Sequence, residues 1–310
     1  MIKRIIKILL KYPIILFNKI YTYYYYKNSS KNDNIDVDDM FKRGKNVLVF
    51  SPHVDDETIG LGGALLKHKD NSDEVSVVYI TDGRGSTSEF SEDKTIELRR
   101  KEGEELKKVL NIKEMYFLNE EDGQVDSNKV ELINEICEIL NSVKPDIIYT
   151  PFLIDGHRDH VETTKLLINA LSKEGGNFEN IYMYEVNCPI MPEIINSMNI
   201  MEDDIFEKKE KLFSIFKSQW AMGFDAFILL NRRKKLILDK GDAAEVFVKG
   251  NHEEVKKIKE FLETEEFDCN NFRQLSSEYN LFLSFRKGKA YKKKYSHVVN
   301  EFIEKKAVSQ

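Results

Sequence analysis

Short apolar runs alternate with longer amphipathic stretches through much of the chain. Residues 47–50, 75–80, 115–118 and 147–149 are continuous apolar segments and predict buried strands. Residues 61–67, 95–110, 129–143 and 161–171 return their apolar side chains at three- and four-residue spacing, the period of a helix with one buried face. Residues 181–186 add a further strand. Strand and helix in alternation predict an α/β fold: a Rossmann-like, mostly parallel sheet with helices on both faces. In such sheets ligands bind beyond the carboxyl ends of the strands.

The pattern is less regular further on. Residues 203–220 predict a helix, and residues 224–230, 236–238 and 244–248 predict short strands at a sheet edge. Residues 251–310 are charged and helix-prone, with a basic run of Arg286, Lys287, Lys289, Lys292, Lys293 and Lys294 interleaved with Tyr291 and Tyr295. That run reads as a solvated tail, the other reading being contact with phosphate or anionic lipid.

Residues 1–27 stand apart. Lys3, Lys7 and Lys11 recur every four residues and line one face of a helix that Pro13 is expected to break. An apolar, tyrosine-rich stretch follows. No uncharged run approaches the roughly 20 residues that cross a bilayer, and no small-residue cleavage site of a secretory signal is visible. A basic segment of this kind predicts contact with an anionic membrane surface, on the cytoplasmic face. The alternative is docking on the body of the same protein or on a second copy. Residues 28–39 read as a polar linker, 40–250 as a catalytic domain and 251–310 as an extension.

Composition narrows the function. The chain has 310 residues, 41% hydrophobic and 32% charged, enough for a large core under a solvated surface. A net charge of −6 argues against whole-surface attraction to nucleic acid. The odd cysteine count (Cys137, Cys188 and Cys269) excludes a complete disulfide framework, and no CxxC pair offers a thiolate zinc site. A reducing, cytoplasmic compartment is expected.

The chemistry lies in two clusters: Pro52-His53-Val54-Asp55-Asp56-Glu57 after the first strand, and Gly156-His157-Arg158-Asp159-His160 after the fourth. His53 and Asp56, three apart on a turn, can point at one ion, with His160 as a third ligand and positions left open for water and substrate. The donor set suits Zn2+, with Fe2+ or cobalt also accommodated. A water acidified to a pKa near 7 by such an ion is a nucleophile at neutral pH. Asp55 is then the base, and His157 the group that stabilises the oxyanion and protonates the leaving amine. Asp159 is expected to accept a hydrogen bond from His157, raising its pKa. Glu57 supports the turn. Taken alone, Asp-Asp-Glu before a helix is an N-terminal cap, and His-x-x-His is a surface pair. It is their joint placement at strand ends that points to metal. His68, His252 and His297 lack such context. Gly60, Gly62 and Gly63 fit neither phosphate-loop pattern and predict close packing of the first helix on the sheet.

On these motifs the chain resembles the PIG-L/LmbE-type zinc-dependent de-N-acetylases, with (A/P)-H-P-D-D-E standing at 52–57 and H-x-D-H at 157–160. Weaker matches, among them Arg99-Arg100-Lys101-Glu102 and Ala244-Glu245-Val246-Phe247, extend it over roughly residues 45–250. Val54 departs from the family's proline. The resemblance implies zinc on His53, Asp56 and His160, Asp55 as base and His157 as acid. It further suggests that Arg99 reaches the substrate, whereas its spacing from Glu102 suggests a structural pair. Arg84, on the rim, is a second candidate for a substrate hydroxyl or phosphate. The function expected is removal of acetate from an N-acetyl amino sugar of a GlcNAc-type glycoconjugate, lipid-linked if residues 1–27 meet a membrane. The alternatives are a metallophosphoesterase on a sugar phosphate and a non-catalytic glycan-binding relative.

Overall fold

The computed structural model describes residues 2–29, 34–41, 45–86, 89–219 and 221–303, with side chains from residue 10 onward. Eight strands form one sheet in the order β1-β7-β8-β6-β5-β2-β3-β4. They are β1 Asp36–Val37, β2 Asn46–Ser51, β3 Glu74–Thr81, β4 Glu114–Glu120, β5 Ile147–Pro151, β6 Ile181–Tyr184, β7 Ser197–Met201 and β8 Ala243–Gly250. Every pairing is parallel except those of β8, which runs antiparallel to both β6 and β7. The α/β class, with a mostly parallel sheet and flanking helices, is as the alternation of runs predicted. β2, β5 and β6 are buried almost throughout, as strands covered on both faces should be.

Crossover helices connect the parallel strands: α2 Asp56–Asp70, α3 Glu92–Leu110, α4 Val130–Val143 and α5 Arg158–Lys173. From β2 the chain builds outward through β3 and β4, then returns to place β5 on the other flank of β2. The loops after β2 and β5 therefore face each other across the point where strand order reverses, the place where such sheets leave a crevice.

Helix α2 sits very close to the sheet. A β-carbon on Gly60 would fall 2.2 Å from the Tyr184 ring, and one on Gly63 2.2 Å from Met201 Sδ. Between them Leu61 leaves helical geometry (φ −145°, ψ 20°). The Glu245 carboxylate accepts from Gly63 N and Ala64 N at 2.7 and 2.9 Å. Lys209 Nζ and Asn199 Nδ2 complete its bonds at 2.7 and 2.8 Å, and Lys209 is itself fully buried.

Several sequence expectations change. Residues 224–230 form part of helix α7, Asp225–Lys234, and 236–238 fall at a short 3-10 turn, not strands. The helix expected over 203–220 is shorter, α6 Asp203–Leu212, and the chain continues in 3-10 turns. β8 lies inside the sheet instead of at its edge. The polar stretch 28–39 carries β1, paired with β7. Pro13 lies within one continuous helix, α1 Ile2–Lys27, with its ring exposed, so the missing N–H costs one bond and no packing. The basic run is not a solvated tail: α10, Lys289–Ile303, buries Lys292, Tyr295 and Val299, and Lys292 Nζ donates to Pro189 O at 3.1 Å.

One face of α1 is docked. Asn18, Thr22 and Tyr26 are buried, and Asn18 Nδ2 donates to Glu278 O and Tyr279 O at 2.7 and 3.0 Å. Tyr21 and Tyr25 pack edge-on against Phe285 of α9, Leu281–Arg286. The opposite face is open, with Leu16, Phe17, Ile20 and Tyr24 at least half exposed. The orientation of Lys3 and Lys7 lies outside the described side chains.

Candidate active site

The turn after β2 is built around Glu57, which is fully buried. Its carboxylate accepts from Ser51 Oγ (3.0 Å), Asp55 N (3.1 Å) and Thr58 Oγ1 (2.9 Å). Held this way, Asp55 adopts φ 137°, a conformation L side chains rarely take and one that stores strain. Asp56 opens α2.

Three side chains converge there. His53 Nδ1 lies 3.0 Å from Asp56 Oδ2, and His160 Nε2 lies 3.3 Å from the same oxygen. Two ligand atoms sharing one tetrahedral zinc are about 3.3 Å apart. All three residues are buried, and each ring nitrogen of His160 faces a carboxylate, Asp56 or Asp155, without the alignment of a formed hydrogen bond. A buried imidazole set between two carboxylates fits a metal ligand. Burial works against charge on His160, yet the carboxylates of Asp56 and Asp155 raise its pKa to about 10. The field that holds a proton at this point equally favours a cation.

The outer nitrogens are oriented too. His160 Nδ1 is 3.1 Å from Asp155 Oδ1, and His53 Nε2 is 3.0 Å from Asp122 Oδ1 and 3.4 Å from Asp159 Oδ2. A carboxylate behind each imidazole fixes its tautomer and strengthens the nitrogen facing the ion. Asp155 also accepts from His157 N, Asn187 N and Cys188 N at 2.8 to 3.2 Å. Neither Asp122 nor Asp155 stands out in the sequence. Asp122 follows β4 and Asp155 follows β5, and only the strand order brings both to His53 and His160.

Asp55 is closed to solvent against Arg99, whose Nη1 and Nη2 lie 3.5 and 3.3 Å from its two oxygens. Burial raises the Asp55 carboxyl to about 6, with Arg99 pulling it down and Asp56 pushing it up. Arg99 makes no hydrogen bond to Glu102. Glu102 instead accepts from Ser218 N and Ser218 Oγ, both at 2.7 Å. With its amide oxygen turned inward, Gln219 accepts from Arg99 Nη1 and Nη2 at 2.6 and 2.9 Å. Arg84 is on the rim and pairs with Asp82 at 2.6 Å.

The expected His157–Asp159 hydrogen bond is corrected. His157 is the N-cap of α5, so its Nδ1 accepts the Asp159 backbone N–H at 3.2 Å. The Asp159 carboxylate points the other way and accepts from Gly123 N and Val125 N. Burial and the neighbouring His160 and His53 lower the His157 pKa to about 4, the reverse of the expected rise. With Nδ1 accepting, the proton of the neutral ring is on Nε2.

His53, Asp55, Asp56, Arg99, Asp122, His157 and His160 line a cavity of about 270 Å³ together with Gly85, Ser86, Asn187, Gln219, Met222, Gln274 and Ser276. Residues 48–171, which hold every group of both motifs, match the family model described as PIG-L: GlcNAc-PI de-N-acetylase. Over that stretch the chain is similar to the PIG-L family. A diacetylchitobiose deacetylase from Thermococcus kodakarensis is 31% identical over 144 residues, 45% of this chain and 54% of that protein. The match thus spans about half the length of that relative. The N,N'-diacetylchitobiose deacetylase of Pyrococcus horikoshii, solved with an inhibitor, superposes with a TM-score of 0.55 at 26% identity, covering 65% of this chain and 82% of its own. The conserved protein TT1542 of Thermus thermophilus shares the fold, with a TM-score of 0.57 at 23% identity over 66% of this chain and 94% of its own.

Proposed function

We propose that the PIG-L-like domain removes acetate from an N-acetylated amino sugar by metal-dependent amide hydrolysis. The observation that carries this reading is the juxtaposition of an ion-sized His53–Asp56–His160 cluster with a buried, ionisable Asp55 in one cavity. The relatives named diacetylchitobiose deacetylase support the amide and the sugar. A divalent cation, zinc or iron(II), held by the three ligands would supply Lewis acidity and acidify a bound water.

The remaining steps belong to the chain's own residues. Asp55, held by Arg99, takes the proton of the attacking water. His157, neutral, donates a hydrogen bond from Nε2 to the developing oxyanion, and the proton taken up by Asp55 passes to the departing amine as the C–N bond breaks. Asp155 and Asp122 keep the two histidine ligands turned toward the ion. A two-metal phosphoesterase would need a second ion, but a second cluster (Asp122, His157 and Asp159) shares His53 with the first. One imidazole cannot serve both without losing its remaining proton, which favours a single ion. An amine-release screen over N-acetyl-hexosamine conjugates tests the reading: acetate and free amine are expected, and inorganic phosphate from a sugar phosphate would favour the rival.

A membrane-proximal glycoconjugate is the finer form of this proposal. No helix among the described residues is long and apolar enough to cross a membrane. The open face of α1, with Leu16, Phe17, Ile20 and Tyr24 flanked by Lys11, Lys19 and Lys27, suits the surface of an anionic bilayer. Removing α1 whole would uncover Phe285, so substitution is the cleaner test. Leu16→Glu with Ile20→Glu is expected to abolish pelleting with phosphatidylserine vesicles while leaving soluble-sugar activity intact. Unchanged pelleting overturns it.

A further inference from the structure

Asn187 is 7% exposed and lines the cavity, yet its Oδ1 is buried with no hydrogen-bond partner among the described residues. Such a group carries a desolvation penalty unless a ligand satisfies it. Its backbone is pinned twice. Asn187 N donates to Asp155 Oδ2 at 3.1 Å, the carboxylate that also faces His160. Asn187 O accepts from Leu275 N at 2.8 Å. The main chain that carries the amide is thereby held at a fixed position relative to the ion site.

Leu275 belongs to a strap, residues 272–280, outside the family-matched stretch. Leu275 is buried, and its neighbours Gln274 and Ser276 line the cavity. Hydrogen bonds tie the strap to the body of the protein. Gln274 Nε2 donates to Gly156 O at 3.0 Å, and Gly223 N donates to Ser276 O at 3.0 Å. Asn280 Nδ2 donates to Gln274 O and Ser276 Oγ at 3.1 and 3.0 Å. These bonds leave Gln274 Oε1 as an acceptor and the Ser276 hydroxyl hydrogen as a donor. Both residues line the same cavity as Asn187.

We propose that Asn187, with Gln274 and Ser276 of the strap, forms a subsite for carbohydrate hydroxyls. A mixed set of fixed acceptors and a hydroxyl donor, beside the reacting centre, matches the donor–acceptor pattern of a sugar ring. The assignment of the ligand as carbohydrate rests on the deacetylase reading, and the test separates the two.

The full chain, stripped of metal to prevent turnover, is titrated with diacetylchitobiose by calorimetry, and each variant is separately titrated with zinc. Asn187→Leu is expected to weaken sugar binding about tenfold or more, since it removes a buried acceptor. Asn187→Asp, which keeps the acceptor, is expected to restore most of it, and zinc affinity is expected to be the same in the wild type and Asn187→Leu. Gln274→Ala, at an exposed side chain, is expected to weaken sugar binding without affecting folding, and guards against a misfolded Asn187→Leu. Absence of sugar binding to the wild type, equal sugar affinity in wild type and both Leu and Ala variants, or parallel losses of sugar and zinc binding would each overturn the subsite. Sugar binding lost in the variants, in a protein that releases no amine once reloaded with zinc, would keep the subsite and sink the deacetylase reading.

Discussion

Arg99 Nη2 lies 3.3 Å from Asp55 Oδ1, with both side chains closed to solvent. The pair explains how a carboxylate in a dry, strained turn stays ionised. Burial alone favours the protonated acid, and the guanidinium opposes it.

This relationship fixes a pH dependence. A base that must be ionised loses activity as the pH falls through its pKa, and Asp55 is raised to about 6. The acid limb of amine release is expected near that pH or below it, because a bound cation pulls the same way as Arg99. Arg99→Met removes a group that lowers the pKa, so the limb must move upward. The pH–rate profile of kcat/KM reads the shift. A downward shift, or none with the protein still folded, contradicts the pairing. Stability falls as well, by about 3–5 kcal/mol for a broken buried pair.

Metal retention depends on groups outside the ligand set. Asp155→Asn is expected to weaken zinc binding by about 10–100-fold, the usual cost of losing a carboxylate behind a ligating histidine. His160→Ala is expected to abolish it. Competition with a chromophoric chelator measures both. Wild-type affinity in Asp155→Asn would show that His160 needs no orientation from outside.

The two main motifs were legible in the sequence because their side chains come from contiguous turns at strand ends. Asp122 and Asp155 were not, since their neighbours depend on the order of strands in the sheet. The His157–Asp159 relationship misled for a local reason: the N-cap position of α5 presents the Asp159 backbone N–H, not its carboxylate, to His157. Strands β2, β3 and β5 announced themselves as continuous buried runs. Residues 224–230 did so falsely, because a short apolar run is equally a helix burying Ala226, Phe227 and Leu230. β7 was missed because Ser197 and Asn199 are polar, though both are buried and Asn199 bonds Glu245.

The Lys209–Glu245 pair is expected to behave as a scaffold element. Lys209→Met leaves a buried carboxylate still serving Gly63 N, Ala64 N and Asn199, at a cost of about 3–5 kcal/mol. Glu245→Leu strands all four donors and should cost more. Urea denaturation midpoints rank them, and the reverse order would mean that Lys209, not Glu245, organises the break in α2.

Thiol chemistry should follow burial. Cys188 is buried and its thiol is pushed up to about 11, while Cys269 is partly exposed. Native alkylation with iodoacetamide is expected to modify Cys269 first and to spare Cys188 until the protein is unfolded. Early labelling of Cys188 would show that α10 does not stay closed over it.

The most direct test of the central claim is amine release from diacetylchitobiose by the zinc-loaded full chain, compared with Asp55→Ala of equal zinc content. The account predicts one amine released per acetate, at a rate at least about a hundredfold above Asp55→Ala, the lower end of what a positioned base contributes. An Asp55→Ala protein that keeps the full rate would contradict it.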